Sequence, residues 1–271
     1  MAKDRETKST RDKAAAARAE QVASEKRRER TVRIIGAIGV VVVVVLIIGL
    51  AVVVPRLSGD TNAGGTPMPA PDPTAAVPTG VFTADDEVPW GVPLGAAPAS
   101  APLLEIWEDF QCPACASLEE INGAGIKSLA DEGAARLVYR PTAFLDNNLG
   151  NTSSAAAINA WGCAIDAGKT VEYQQIVYAN QPTAEGEGWT SAQFVGFAEE
   201  AGIVGVPLEQ FNDCLTSNRY LGWAANSTQA FYDANVEGTP RGYLNGVVID
   251  GAQLADQALL AGLVAEAGSS Q

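Results

Sequence analysis

Two cysteines separated by two residues, Cys112 and Cys115, carry the most specific chemistry in this sequence. They enclose Pro113 and Ala114, follow a short apolar run and lead into a stretch with helical spacing. A thiol at a helix start faces unpaired N–H groups, and the helix dipole lowers its pKa. Pro113 suits the first helical position, where its missing N–H has no partner. The pattern predicts cofactor-free dithiol–disulfide exchange, in which Cys112 attacks and Cys115 resolves the mixed disulfide.

Two other interpretations of this cysteine pair stay open at this point. A structural zinc site needs four ligands, but the sequence has no His, and its other cysteines, Cys163 and Cys214, are isolated. A purely structural disulfide across two intervening residues is strained. Both are therefore less favoured than redox exchange, and we expect no metal.

The remaining two cysteines make the count even. If Cys112 pairs locally with Cys115, only the pairing of Cys163 with Cys214 is left. We interpret that pair as a structural disulfide within a helical region. The alternative is a second redox pair that relays electrons, although neither cysteine lies at an evident helix start.

The composition excludes several classes of chemistry and of partner. The 271 residues include no His, which excludes imidazole general bases, Ser-His or Cys-His dyads and His-ligated metals. Residues 57–271 carry 6 basic and 26 acidic side chains, a net charge of −20. Because nucleic-acid binding needs a basic face, this acidic segment argues against a nucleic-acid partner.

An uninterrupted apolar run from Ile34 to Val54 contains 21 residues without a charged or hydrogen-bonding side chain. At about 1.5 Å per residue it spans the roughly 30 Å hydrocarbon layer of a membrane. Residues 1–33 form a basic tail with 11 basic and 6 acidic side chains, whereas only Arg56 flanks the other end. The positive-inside bias predicts a single-pass signal anchor with a cytoplasmic N-terminus and an extracytoplasmic remainder. A cleavable signal peptide is the main alternative.

A Pro-rich segment follows the apolar run. Residues 55–102 hold 10 of the 15 prolines, together with many Gly and Ala residues. Such a composition predicts a semi-extended linker over 55–80 rather than an independent fold. The folded unit is expected to begin between residues 80 and 100.

The rest of the sequence predicts an α/β fold. A strand at 103–107, a helix from Cys115 to Gly133 and a strand at 135–140 imply two parallel strands with a right-handed crossover. A helical insertion is predicted over 151–236, with helices at 154–167, 171–179, 191–201 and 208–235. Asn245-Gly246 between apolar runs indicates a β-hairpin, and a final helix is predicted over 252–267.

These features resemble one family. The segment EDFQCPAC, the helix after it, the helical insertion, and Thr239-Pro240 ahead of the hairpin are similar to DsbA-like thiol:disulfide oxidoreductases of the thioredoxin superfamily, in the membrane-anchored form of Gram-positive bacteria. The resemblance covers about residues 79–268. It implies a thioredoxin fold built from 81–150 and 237–271, interrupted by the insertion at 151–236. It also implies a cis peptide before Pro240 that faces Cys112, with the Thr239 backbone pairing with the substrate peptide.

Two positions depart from the family pattern. Strong oxidases of this family often have His at the third motif position, which here is Ala114, and relatives tend to have a buried acid where this sequence has Ile106. Glu108 lies on the same strand face as Ile106 if the period of two holds. We therefore take Glu108 as the candidate for proton transfer to Cys115, with an ordinary solvated carboxylate as the alternative.

The resemblance implies a function outside the cytoplasm. The expected activity is disulfide introduction into exported proteins through Cys112 and Cys115, with re-oxidation by a membrane quinone-linked partner of the DsbB or vitamin K epoxide reductase kind. A reductase or isomerase of the same fold is one alternative, and a non-catalytic envelope binding module is another. Fold alone does not decide among them.

Overall fold

The structure is a computed structural model that describes residues 65–269. The predicted basic tail at 1–33, the predicted membrane span at 34–54 and the first part of the predicted linker lie outside the described residues. None of the helices within residues 65–269 has the combination of length and apolarity that crossing a membrane requires.

A mixed β-sheet organises the described part of the chain. Its strands are β1 (Val92–Leu94), β2 (Leu103–Glu108), β3 (Arg136–Pro141), β4 (Arg241–Leu244) and β5 (Val247–Ile249). Their order across the sheet is β1-β3-β2-β4-β5. β2 and β3 are parallel and the other neighbouring pairs are antiparallel. The predicted parallel pair is confirmed.

The first helix, α1 (Pro113–Asp131), makes the crossover between the two parallel strands. β2 supplies Leu104 and Ile106 to the core beneath this helix, and both side chains are fully buried. Their spacing of two residues places them on one face of the strand, as alternation in a strand requires. The chain passes from the C-terminal end of β2 into α1. Cys112 therefore lies beyond the carboxyl ends of the parallel strands, where ligands and substrates bind in α/β folds.

Helices occupy the chain between β3 and β4. In order they are α2 (Phe144–Leu149), α3 (Ser153–Asp166), α4 (Thr170–Ala179), α5 (Ser191–Glu200), α6 (Val206–Thr216) and α7 (Leu221–Asp233). α3 is the central one and packs on α4, α6 and α7. Its Ala-rich sequence suits this position, because small side chains let neighbouring helices approach on every side.

The single helix predicted over 208–235 is wrong, because the structure divides it into α6 and α7. The break lies at Asn218, whose φ of 53° is left-handed and ends the first helix. Next to the break, Asn159 of α3 accepts a hydrogen bond from the Tyr220 backbone N–H at 2.8 Å. A side chain distant in sequence thus stabilises this break, and helical periodicity could not indicate it.

The C-terminal part contains the predicted hairpin and a second broken helix. Asn245 and Gly246 connect β4 and β5 with φ angles of 50° and 78°, which a type I′ turn requires. The helix predicted over 252–267 is two helices, α8 (Gly251–Ala255) and α9 (Gln257–Ser269). Asp256 leaves the helical conformation between them, and its carboxylate accepts hydrogen bonds from the first-turn N–H groups of α9.

Residues 65–80, which we call the strap, pack on the helices instead of standing free as a linker. The Asp72 backbone exchanges two hydrogen bonds with the Asn226 amide of α7, at 2.6 and 2.8 Å. Thr79 donates to the Asp166 carboxylate at the end of α3. The Asn226 amide reproduces the donor and acceptor of a backbone group, which explains how a Pro-rich segment without regular structure is held.

Candidate redox active site

Cys112 is the residue that caps the N-terminus of α1. Its carbonyl accepts the backbone N–H groups of Cys115 and Ala116 at 3.1 and 3.2 Å. Pro113 occupies the first turn, as the sequence predicts. The side chain of Cys112 is 7% exposed and that of Cys115 is fully buried. Of the two cysteines, Cys112 is therefore the one nearer to solvent, as in dithiols that exchange through one nucleophile.

The loop before β4 lies against the first cysteine. The Thr239–Pro240 peptide bond is cis. The Cys112 thiol donates a hydrogen bond to the Thr239 carbonyl at 3.3 Å. The structure thus brings together the cysteine pair and the Thr-Pro pair that are 127 residues apart in sequence. This puts the backbone of Thr239 directly beside the Cys112 sulfur.

The environment of Cys112 favours its thiolate. Its pKa is lowered to about 6, chiefly by a hydrogen bond from the Cys115 thiol. Burial opposes this, whereas the Thr239 hydroxyl and the backbone N–H groups of Cys115 and Ala114 act in the same direction as the thiol. These amides belong to the first turn of α1, which agrees with the effect expected of a helix start. Ala114 is exposed and contributes only its backbone.

The environment of Cys115 has the opposite effect. Burial is the largest cause that raises its pKa well above the usual value for a thiol, and the hydrogen bond to Cys112 and the charge of Glu108 add to it. At neutral pH Cys112 is therefore largely thiolate while Cys115 keeps its proton. The pair is divided into a nucleophile and a resolving thiol, which is the division that exchange requires.

Glu108 lies in the core at the end of β2. Its side chain is buried, with 4% exposed, which rules out the alternative of an ordinary solvated carboxylate. Burial raises its pKa well above the usual value, and the charge of Glu119 raises it further. Gln174 of α4 donates a hydrogen bond to Glu108 Oε2 at 3.1 Å. Ile106, the position where relatives tend to have an acid, is fully buried and apolar.

A buried ion pair lies next to Glu108. Lys127 and Glu119, both on α1, approach to 2.5 Å, and the Tyr139 hydroxyl donates to Glu119 at 2.7 Å. Their side chains are 9% and 4% exposed, so the two charges compensate each other out of reach of water. The sequence analysis missed this pair, since a spacing of eight residues along a helix also fits two unrelated surface charges.

The helical region also holds the loop that carries Cys112. Gln181, just after α4, donates through Nε2 to the carbonyls of Phe110 and Cys112 at 2.7 and 3.1 Å. These two hydrogen bonds hold the backbone of the loop that carries Cys112. Nothing in the local sequence marks Gln181, because it lies 69 residues from Cys112.

Two more buried carboxylates fix the same loop from its other side. Asp109 accepts from the backbone N–H of Gln111 at 2.9 Å and of Leu145 at 3.1 Å, and its pKa is raised to about 8 by burial. Asp146 accepts the N–H groups of Ser154 and Ala155 at the start of α3, and burial raises its pKa to about 6. Together they connect the cysteine loop to α2 and α3.

The second cysteine pair forms a disulfide. Cys163 of α3 and Cys214 of α6 are joined with an S–S distance of 2.02 Å. Cys112 and Cys115 are both free in this structure. The disulfide uses two of the four cysteines that a zinc site would need. It is also the pairing that the cysteine count predicts if Cys112 pairs with Cys115.

A groove of about 480 Å³ opens beside the start of α1. It runs between α1 and α4, and its lining includes Pro113, Glu120, Gln175 and Tyr178. This groove gives a polypeptide room to approach Cys112 along the face of α1.

The fold and this site define a thioredoxin-fold protein with a dithiol at the start of its first helix. The family model described as thioredoxin matches residues 91–260. The chain therefore belongs to the thioredoxin family. A search of curated proteins returned no significant match.

Solved structures similar to this chain are thiol-disulfide oxidoreductases. MdbA from Actinomyces oris is 21% identical with a TM-score of 0.60, and the match covers 75% of this chain and 98% of that one. BdbD from Bacillus subtilis is 17% identical with a TM-score of 0.57, covering 71% and 98%. MdbA from Corynebacterium diphtheriae is 20% identical with a TM-score of 0.53, covering 72% and 96%. The predicted resemblance to the DsbA-like fold is confirmed.

Proposed function

We propose that this protein is an extracytoplasmic thiol:disulfide oxidoreductase that introduces disulfides into exported proteins. The observation that carries the proposal is the contrast in environment between two cysteines of one motif, with Cys112 at a helix start against Thr239 and Cys115 fully buried. Cys112 has a pKa lowered to about 6 beneath the cis Thr239–Pro240 bond, whereas Cys115 is buried with a raised pKa. Similar solved structures, MdbA among them, are thiol-disulfide oxidoreductases by name, which supports the same chemistry here.

The reaction starts from the Cys112–Cys115 disulfide. A substrate thiolate attacks Cys112, the S–S bond breaks, and its electron pair moves to Cys115, which takes up a proton. A second substrate thiolate then attacks the substrate sulfur of the mixed disulfide and releases Cys112 as a thiolate. The substrate loses two electrons and gains a disulfide, and the protein gains two electrons as a reduced dithiol.

The lowered pKa of Cys112 favours this direction. A thiolate that is stable at neutral pH is a good leaving group, so the mixed disulfide resolves toward reduced protein and oxidised substrate. The Thr239 carbonyl beside Cys112 supplies a backbone acceptor for an extended substrate chain. We assign Glu108 as the group that exchanges a proton with Cys115, because it is buried, has a raised pKa and acts electrostatically on that thiol.

We also propose where the protein acts. The apolar run at 34–54 anchors the chain in the cell membrane with its N-terminus in the cytoplasm, and disulfides form on the other side. An anchor keeps the domain close to a membrane quinone-linked re-oxidase of the DsbB or vitamin K epoxide reductase kind. The support for this part is the sequence pattern alone.

Disulfide transfer to a reduced protein tests the activity. The oxidised segment 65–271 is mixed at pH 7 with reduced, unfolded ribonuclease A, and thiols are counted on both proteins. We expect one disulfide to appear in ribonuclease for each Cys112–Cys115 pair reduced. Cys112→Ser should abolish transfer. In a separate reaction, reduced Cys115→Ser mixed with ribonuclease that carries its disulfides should accumulate a mixed disulfide, because Cys112 attacks a ribonuclease disulfide and no second thiol of the motif resolves the product.

The alternatives predict other outcomes. A reductase would leave ribonuclease reduced, and its dithiol form would reduce insulin disulfides instead. A binding module would transfer nothing, and Cys112→Ser would bind a partner as well as the wild type does. Either result contradicts the proposal.

A further inference from the structure

Buried oxygens without a hydrogen-bond partner lie near the redox pair, namely Thr239 Oγ1, Glu108 Oε1 and Gln174 Oε1. The last two belong to neighbouring side chains. Their side chains already share one contact, in which Gln174 Nε2 donates to Glu108 Oε2 at 3.1 Å. Glu108 is 4% exposed and Gln174 is 1% exposed, so bulk water does not serve either oxygen. Buried acceptors without a donor are rare in folded proteins and call for an explanation.

The chemistry of the two groups supplies that explanation. A neutral carboxylic acid has one O–H donor and a remaining acceptor, and a primary amide has N–H donors and one carbonyl acceptor. The two can pair twice, with amide N–H to acid oxygen and acid O–H to amide oxygen. In this protein the first bond is present, and the atoms left for the second are the two unpartnered oxygens. A proton on Glu108 Oε1, donated to Gln174 Oε1, would give both of them a partner.

We propose that Gln174 is a positioning residue that holds the proton of Glu108 beside Cys115 by this paired acid–amide contact. The amide serves both states of the acid. Its carbonyl accepts from neutral Glu108, and its N–H donates to the carboxylate after the proton has left. This role rests on the proposed function, since it concerns the proton that Cys115 gains and loses in exchange.

The proton follows the electrons. When a substrate thiolate breaks the Cys112–Cys115 bond, the electron pair stays on Cys115 and the proton moves from Glu108 to that sulfur. Glu108 becomes a carboxylate that keeps the Gln174 N–H bond. In re-oxidation Cys115 returns the proton to Glu108 as its sulfur attacks the mixed disulfide at Cys112. Gln174 thus couples the helical region to the chemistry of the motif.

Other charged or titratable groups act on Glu108 from each neighbouring element. They are Cys115, Glu119 and Lys127 of α1, Tyr139 of β3 and Tyr178 of α4. The charge of Lys127 is engaged by Glu119 at 2.5 Å. The Tyr178 hydroxyl also acts on Glu108 as a hydrogen-bonding group and lowers its pKa. Gln174 differs from the tyrosines because its donor and its acceptor are separate atoms, so that it can pair with both carboxyl oxygens at once.

The test replaces the amide by a side chain of similar length without donor or strong acceptor. In Gln174→Met the carboxylate loses a charge-assisted hydrogen bond, so the pKa of Glu108, followed by infrared spectroscopy of the reduced protein, should rise by about one unit. With oxidised glutathione, attack by Cys112 should keep its rate. Closure of the mixed disulfide by Cys115 should slow about tenfold at pH 7 and recover as the pH rises.

Matched variants keep the outcome interpretable. Gln210→Met changes an exposed glutamine on α6, outside the site, and should alter neither quantity. In a Glu108→Gln background, Gln174→Met should slow closure no further. An unchanged pKa with unchanged closure would overturn the inference. So would equal slowing at every pH without a pKa change, because that result means that Gln174 only maintains packing.

The same experiment separates this inference from the proposed function. If the wild-type dithiol does not react with oxidised glutathione, the proposed function fails, while the infrared pKa of Glu108 still reports on Gln174. If the wild type reacts and Gln174→Met behaves like it, only the inference fails.

Discussion

At the scale of single residues, the protein depends on a contrast between two thiols in one motif. Cys112 has N–H groups of a helix start, the Thr239 hydroxyl and the Cys115 thiol around its sulfur, whereas Cys115 has an apolar core and a buried acid. Residue types alone predicted the identity of the nucleophile. The size of the contrast depends on the surrounding fold, which buries Cys115 beside Glu108 and places Cys112 at the first turn of α1.

The first prediction concerns the Cys112 thiolate. Alkylation of the reduced protein by iodoacetamide should increase with pH and reach half of its maximum near pH 6, because that is where the pKa of Cys112 lies. Cys115→Ala should move the midpoint upward, since it removes the Cys115 thiol, the largest cause of the lowering. A midpoint near 8.5, the ordinary value for a thiol, would contradict this account of the site.

The second prediction links Glu108 to stability. Its pKa is raised in the folded protein, so the folded state binds the proton more tightly than the unfolded chain does. The resulting stability is complete below about pH 4 and is lost as the pH rises toward the folded pKa. Glu108→Gln should therefore lose less unfolding free energy between pH 5 and pH 8 than the wild type, by urea denaturation.

An exposed carboxylate on α1 provides the control for that measurement. Glu120→Gln should keep the pH dependence of the wild type, because Glu120 is exposed. Equal pH dependence in wild type and Glu108→Gln would show that Glu108 is not a buried acid with a raised pKa.

At the scale of elements, a disulfide and the strap hold the helical region. Cys163 and Cys214 connect α3 with α6 across 51 residues of sequence. For a loop of this length the chain-entropy model gives about 4 kcal/mol of stabilisation.

The third prediction separates this disulfide from the redox pair. The Cys163→Ala and Cys214→Ala double variant should lose about 2–4 kcal/mol of unfolding free energy and keep the Cys112 alkylation midpoint. The measurement combines urea denaturation with the alkylation profile. Loss of disulfide transfer in a folded double variant would instead favour the electron-relay alternative for this pair.

The fourth prediction concerns the strap. Removing residues 65–80 should lower the unfolding free energy by about 2–4 kcal/mol, because the Asp72–Asn226 hydrogen bonds and the packing of Met68 and Val77 are lost. Urea denaturation of segments 65–271 and 81–271 measures the difference.

A glycine beneath the strap provides a matched test. A Cβ at Gly222 would meet the Ala75 Cβ at 2.7 Å, which is too close for two carbon atoms. Gly222→Ala should destabilise segment 65–271 and leave 81–271 nearly unchanged. Equal effects in the two segments would contradict packing of the strap on α7.

At the scale of the whole molecule, the sequence predicted the elements that short, local residue patterns determine. The strand before the motif, the helix after it, the parallel pair and the Asn-Gly hairpin all follow from short-range periodicity and turn residues. β1 (Val92–Leu94) and α2 (Phe144–Leu149) were not predicted, because three and six residues give too few repeats for a period. The two broken helices were missed for a related reason, as polar contacts at Asn218 and Asp256 override a continuous apolar pattern.

The residues that support the site also show that local sequence patterns do not predict contacts between distant parts of the chain. Cys112, Cys115 and Glu108 could be selected because they lie within eight residues of one another. Gln174 and Gln181 could not, since each reaches the motif through a contact 66 or more residues away in sequence. Glutamine in a helix is common on protein surfaces, and only the fold reveals that Gln174 is buried against an acid.

The reduction potential of the Cys112/Cys115 couple tests the central claim most directly. Equilibrating segment 65–271 with glutathione buffers and counting free thiols gives the value. The proposed direction predicts a potential well above about −270 mV, toward the roughly −120 mV of a strong disulfide donor. A potential near −270 mV, typical of a reductase, would contradict the proposed direction of electron flow.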